Sequence, residues 1–446
     1  MSLYELERQR DVDELVETLR RSDNPSIRRR AAEIIGGLFE SDDVDESELL
    51  LDSATENELG MRVDPEDGSG DERGGESVVD VLVSVVAGDD SEAVRAAAVD
   101  ALDQHSRDAL ERVVNELSEN DLDTAADWVA AQTFEEVLDD EKPELRMAAA
   151  TGLGRVGDPG VTASLVERLG DPDPRVRSRC ARACGRIGDP RAVEPLEARL
   201  REDANAETRR AAAAALGEIG TEAALSVLLD ADDDPEASVR RVIADSLGEF
   251  GSVKPVETLV EYLEDEYEAI RRTAMFSMVE ILSNAPAQRS HDVREATADR
   301  LESAMADEVV PPLSEILTKS SGTPQRRNAA WLLGRVVGTD HRDTARDALI
   351  DALDAEDAMT AQFAATSLTR LDDPDLETEL LALVRNERGE APETARAKAL
   401  FILGKVGGDE TREELGEFVD RTESDTLREQ AFSALSKLGG IGGEVP

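Results

Sequence analysis

Two cysteines, three histidines and a short run of aspartates are the residues of this chain whose types could do chemistry. Cys180 and Cys184 lie four apart, one helical turn, where a thiolate pair could bind a metal with help from elsewhere. No histidine or further cysteine lies nearby in sequence, and a disulfide within one helical turn has poor geometry. Both thiols are therefore expected to be small core residues. His105, His291 and His341 are scattered and never form a His-Glu pair. The run Asp230-Ala231-Asp232-Asp233-Asp234 offers carboxylates to calcium, but it lacks the turn glycine and distal glutamate of a helix-loop-helix calcium site, and it reads as a turn and helix cap. No catalytic residue, metal or cofactor is expected.

The arginines are far more regular. Arg28, Arg95, Arg146, Arg177, Arg209, Arg240, Arg271, Arg326, Arg396 and Arg428 stand at one place in a recurring phrase, with Ala361 in the remaining copy. The clearest copies, at 177, 209 and 240, are 31 or 32 residues apart, the mark of a stacked-repeat protein. Six residues before the arginine stands Asp89, Asp140, Asp171, Asp203, Asp234 or Asp265 in six successive copies. Elsewhere that position holds Ser22, Ser320, Ala355, Glu390 or Thr422. A planar guanidinium in the first helical turn can reach a carboxylate of its own or the adjacent unit and repeat the contact along the stack. The expectation is a structural ladder of Asp89, Arg95, Asp140, Arg146, Asp171, Arg177, Asp203, Arg209, Asp234, Arg240, Asp265 and Arg271, with looser stacking outside it.

These residues need two helices per unit. The first has small faces such as Ala211 to Ala215 that let backbones approach, and it ends at Gly188, Gly220 or Gly251, the residue type that tolerates left-handed C-terminal geometry. The second carries apolar residues at helical spacing, as in Val193, Leu196 and Leu200, or Val256, Leu259, Val260 and Leu263. One such hairpin cannot bury its apolar face alone, so neighbours must stack. The expected fold is all-α, an α-solenoid of about eleven repeats. Its parts are a first repeat over 1–39, an acidic and largely loop insertion over 40–76, a regular array over 77–283, an irregular helical insertion over 284–322 and further repeats over 323–446. Within 284–322, extra helices are expected near 291–306 and 309–318.

Charge is the other large fact. The chain holds 100 Asp and Glu against 50 Lys and Arg, a net charge of −50, and only six of the basic residues are lysine. Such a balance suits a proteome adapted to molar salt, where the short Debye length suppresses repulsion between carboxylates. It argues against binding a phosphate backbone, which needs a basic surface. The insertion over 40–76 holds 15 acids against Arg62 and Arg73. The opening residues carry no charged-then-apolar signal, and the longest mainly apolar stretch, Val78 to Ala87, is too short to span a bilayer. A cytoplasmic protein without membrane insertion is expected. Trp128 and Trp331 fall in helical stretches as core or groove-edge residues.

The phrase Asp171-Pro172-Asp173-Pro174-Arg175-Val176-Arg177, continued through Gly188-Asp189-Pro190-Arg191-Ala192-Val193-Glu194-Pro195-Leu196, resembles the HEAT-like repeats of the phycobilisome-lyase type. The resemblance covers about 11–439, most strongly 140–283, and implies a ladder-stabilised helical solenoid. Three functions follow from it. The first is a non-catalytic scaffold or adaptor whose second helices line a concave surface. On this reading Glu194, Glu197, Arg199, Arg201, Glu257, Glu261 and Glu264 meet a partner protein, with Tyr262 and Tyr267 as anchors. The second is a bilin-lyase-like enzyme or chaperone. The third, a HEAT-fold DNA glycosylase, requires a basic groove that the charge balance opposes. The His-Glu motifs by which HEAT-like deoxyhypusine hydroxylases hold iron are absent from the sequence. Within the adaptor class the chain is similar to HEAT-repeat proteins of halophilic archaea that accompany the chemotaxis machinery, which implies a link between signalling proteins and a motility apparatus.

Overall fold

In a computed structural model, residues 2–39, 77–105, 109, 127–301, 306–336, 341–387 and 389–439 are described. The insertion at 40–76 and the side chains of His105 and Trp128 lie outside the described residues. Among the described residues every element is a helix, and within each compact unit successive helices form hairpins stacked side by side, the architecture of an α-solenoid. The chain divides into two compact units, Met1–Ala224 and Leu225–Pro446. The division falls inside the helix Glu222–Leu229, within the regular array.

The first helices of the repeats are Pro25–Phe39, Glu92–His105, Pro143–Val156, Pro174–Ile187 and Ala206–Ile219 in the first unit. In the second they are Ala237–Gly248, Glu268–Asn284, Thr323–Val336, Ala358–Leu368, Glu393–Val406 and Asp425–Lys437. In each, the register residue, arginine or Ala361, is the fourth of the helix. Local chemistry fixes these starts. Pro25, Pro143 and Pro174 occupy the first helical position, where a missing N–H costs nothing. The side chains of Asp173, Asn205 and Ser424 accept from backbone N–H groups of the first turn. Gly157, Gly188 and Gly220 close three helices at φ of 70°, 71° and 66°.

Gly251 does not. Its helix ends at Gly248, and Gly251 lies beyond the end outside the left-handed region. Its constraint is space: a Cβ there would stand 2.2 Å from the carbonyl oxygen of Asn284 in the next repeat.

The ladder arginine makes two kinds of bond. One is to the backbone carbonyl six residues earlier, at 2.7–3.0 Å for Arg28, Arg95, Arg146, Arg177, Arg209, Arg240 and Arg271. Arg428 bonds Thr422 in the same way. Because a carbonyl is the acceptor, Ser22 and Thr422 serve as well as aspartate. The other is a two-pronged bond to the aspartate of the following repeat: Arg28 to Asp89 at 2.8 and 2.9 Å, Arg146 to Asp171 at 2.8 and 3.0 Å, Arg177 to Asp203 at 2.7 and 2.8 Å, and Arg240 to Asp265 at 2.9 and 3.3 Å. Each of these aspartates also accepts the backbone N–H two residues on, at 2.8–2.9 Å. Burial works against ionisation of Asp89, Asp203 and Asp265, yet the guanidinium and the backbone N–H together hold all three below the usual carboxylate value.

Two departures from the simple ladder have physical causes. Arg95 pairs with Glu144 at 2.8 Å rather than with Asp140, whose carboxylate instead caps the N–H of Lys142. The carboxylate that Arg95 meets, Glu144, comes from the first turn of the next first helix rather than from the turn before it. In the second unit Ala355 leaves Arg326 Nε buried without a hydrogen-bond partner, and the neighbouring Arg327 pairs with Asp357, two residues on, at 2.5 Å. The ladder also begins earlier than 89, at Arg28, and a pair of similar kind, Arg346 to Asp373 at 3.0 Å, occurs well beyond 271.

Small residues set how near the first helices come. A Cβ on Gly154 would stand 2.9 Å from Cα of Ala183, and one on Gly185 would stand 2.7 Å from Cα of Ala215. Cys180 and Cys184 are fully buried in this layer as free thiols, and burial pushes both well above the usual thiol value, Cys184 to about 12. Within 284–322 the helices are Ser290–Leu301 and Ala306–Lys319.

Candidate protein-binding surface

The helix Pro174–Ile187 carries Arg175, Arg177, Arg179, Arg182 and Arg186 and no acidic residue, in a chain where acids outnumber bases two to one. Arg177 belongs to the ladder. The other four recur at i, i+4, i+7 and i+11, one stripe of a helix. The stripe faces across the buried helix Pro143–Val156 towards Glu92–His105, two repeats away in the stack as drawn by the register. Arg179 forms an ion pair with Asp100, Arg186 reaches Asp103 at 3.1 Å, and Arg175 reaches Glu92 at 3.3 Å. Side chains of the outer two helices can meet above the middle one only where the surface of first helices is locally concave. The middle helix permits it because it presents Met147 and Thr151, 1% and 3% exposed, over this stretch, and one turn further on its Arg155 joins Arg186 at Asp103.

The result is a groove of about 570 Å³ in the first unit, lined by Ala93, Ala96, Ala97, Met147 and Ser178 on its floor, with Arg29, Arg175, Arg179, Arg182 and Arg210 and the acids Glu33, Asp100 and Glu207 around them. A continuation holds Asp103, Gln104 and Arg186. Burial, and next the charge of Arg182, push Arg179 down to about 9 from the usual arginine value. The acids present are shared. Asp103 accepts from both Arg155 and Arg186, and Glu207 from both Arg182 and Arg210.

The residues expected to bind a partner are placed differently. Glu194, Glu257, Glu261 and Glu264 are exposed on second helices or the turns after them. Glu197 and Arg201 are paired with each other at 3.0 Å, and Arg199 lies 3.9 Å from Asp203. Tyr267 is half-exposed, with Arg240 over its ring at 5.9 Å. Tyr262 is not a surface anchor. It is 6% exposed, its hydroxyl donates to the carbonyl of Asp232 at 2.7 Å, and burial raises it well above the usual phenol value. The apolar spacing that marks the second helix also turns Tyr262 inward beside Leu259 and Leu263, and its hydroxyl satisfies the turn before its own repeat. Tyr262→Phe is expected to lower stability by about 1 kcal/mol, the worth of a hydrogen bond to a buried carbonyl, and to leave partner capture unchanged; chemical unfolding and pull-down read the two separately.

The groove is not legible from the alanines of the first helices alone. The signal was there, in a fourteen-residue helix with five arginines and no acid.

Comparison with known proteins agrees with the stack. A model of HEAT repeats matches residues 130–209, 172–247 and 193–280. The chain is also 43% identical over 440 residues to the HEAT repeat-containing taxis protein of Halobacterium salinarum, an alignment covering 98% of this chain and 99% of that one. The chain belongs to the HEAT-repeat family. Its HEAT repeats account for the first-helix and second-helix alternation, and the groove is built from five consecutive first helices of them. No helix of the described residues is long and apolar enough to cross a membrane.

Proposed function

We propose that this HEAT-repeat chain is a non-catalytic adaptor in taxis, holding signalling proteins against one another or against a motility apparatus. The observation that carries the reading is the 43% identity to a taxis protein across nearly the whole of both chains. A shared domain would align locally, whereas here the match runs over nearly the full length of both chains. The architecture supports it, since a repeat stack offers broad continuous surface and little enclosed space. Function in such a protein lies in the surface grafted on the fold, and the arginine groove is a surface that departs from this chain's acidic average.

The experiment is deletion of the gene in its host, followed by motility and reversal assays and by capture of the tagged full-length chain at native salt. Cells that swim but fail to bias their reversals, with taxis proteins retained in stoichiometric amount, are the expected result. Normal taxis in the deletion strain together with capture of an unrelated metabolic complex would remove the reading.

A further inference from the structure

The arginine groove holds more cationic capacity than its own acids consume. Arg179, Arg182, Arg186 and Arg210 of the groove, with Arg155 beside it, share three carboxylates, those of Asp100, Asp103 and Glu207, while Glu33 is taken up by Arg29 and Arg30. Each guanidinium has five N–H donors in a fixed fork. One carboxylate divided between two guanidinium groups therefore leaves donors on both without an acceptor, and Arg210 Nε is in fact buried with no hydrogen-bond partner. Around the groove the rest of the chain carries a large negative excess, so the site stands as a local inversion of sign.

We infer that this groove docks an acidic segment of a partner protein, a stretch bearing at least two carboxylates spaced to meet Arg182 and Arg186 while apolar groups rest on the alanine floor. The inference rests on the adaptor reading and adds the partner's chemistry to it. Three observations select this occupant. Arg182 and Arg186 are four residues apart on one helix, about 6 Å along its axis, which matches carboxylates one turn apart on a partner helix better than a single small anion. The floor of Ala93, Ala96, Ala97 and Met147 is apolar, which suits a peptide with an uncharged face. The interspersed Glu33, Asp100, Asp103 and Glu207 would repel a continuous phosphate backbone at several points. Direct two-pronged contacts are also the kind that survive molar salt, because screening over about 3 Å suppresses steering at a distance but not bonded pairs.

Arg182 and Arg186 are each about two-fifths exposed, at 41%, and their acids retain Arg210 and Arg155 as partners, so their replacement should leave the fold intact. The test uses the full-length chain at molar KCl and a fluorescent helical peptide of alternating Glu and Ala turns, with a Gln-for-Glu peptide as control. The wild-type chain is expected to bind the Glu peptide about tenfold more tightly than the control, as two partly exposed ion pairs would give. The Arg182→Gln/Arg186→Gln variant should lose that difference, and Arg182→Lys/Arg186→Lys should keep only part of it, since lysine retains the charge without the fork. Circular dichroism of each variant reports the fold. Equal affinity for the two peptides, undiminished binding by the Gln variant, or displacement by millimolar inorganic phosphate would each overturn the inference. A taxis phenotype and stoichiometric capture that persist in the Gln variant would sink the groove while sparing the adaptor reading, and absence of both from the wild type would sink the adaptor reading itself.

Discussion

Asp171→Ala should lower stability around its repeat by about 3 kcal/mol, the typical cost of removing one partner from a buried ion pair. Asp171 is 4% exposed, accepts from Arg146 Nε and Nη2 at 2.8 and 3.0 Å, and accepts the N–H of Asp173 at 2.9 Å. Its removal leaves a guanidinium only 11% exposed with the carbonyls of Asp140 and Glu141 as its remaining partners. Asp171→Asn, which can still cap the turn and accept one bond, should cost about half as much. Because repeat arrays need not unfold in one step, the loss is best read by hydrogen exchange across 143–187 together with urea unfolding at fixed KCl. A change in the alanine variant within about 0.5 kcal/mol of wild type, the range of an ordinary surface substitution, would show that the two-pronged bond contributes nothing to stacking.

Gly185→Val should be more damaging still, by about 4 kcal/mol, through overpacking that no rotamer relieves. The Cβ that any substitution adds would stand 2.7 Å from Cα and 3.0 Å from Cβ of Ala215, and 2.5 Å from Glu218. Glu218 can swing away, but the Ala215 backbone cannot, so the helices Pro174–Ile187 and Ala206–Ile219 must separate. Gly185→Ala opposes a gain of about 1 kcal/mol in helix propensity to the same clash and should still come out destabilising, by about 1–2 kcal/mol. Gly416, inside Asp409–Arg421, supplies the contrast: a Cβ there meets nothing within 4 Å, so Gly416→Ala should stabilise by nearly the full propensity gain, about 0.8 kcal/mol. Thermal melts of the three variants decide the matter, and equal shifts of one sign at 185 and 416 would refute the close-approach argument.

The two substitutions also show why the repeats were legible. The arginine at the fourth position of ten of the first helices, and the aspartate in the turn before it and glycine eight residues later where they occur, act within a repeat or on the next one. Contacts of that range must be satisfied anew in every unit, so they write a period into the chain. The departures follow the same physics. Gly251 shares its sequence position with the left-handed Gly188 and Gly220, yet its need for a bare Cα comes from Asn284. Tyr262 has the amphipathic character of an outward anchor, yet the turn at Asp232 takes its hydroxyl.

The sequence by itself determined the helical hairpins, their register, the recurrence of arginine and aspartate and the acidic balance, since each depends on residues close in the chain or recurring at a fixed interval, whereas which carboxylate each arginine meets was settled by the packing of neighbouring repeats. Only the tertiary structure decided which face holds the candidate interface. Arg175 meets Glu92, and Arg186 meets Asp103, across 83 residues and over an intervening helix, so the groove depends on the rotation accumulated over two successive repeats. That rotation is set by packing distances between helices, a quantity that no single repeat's residues spell out.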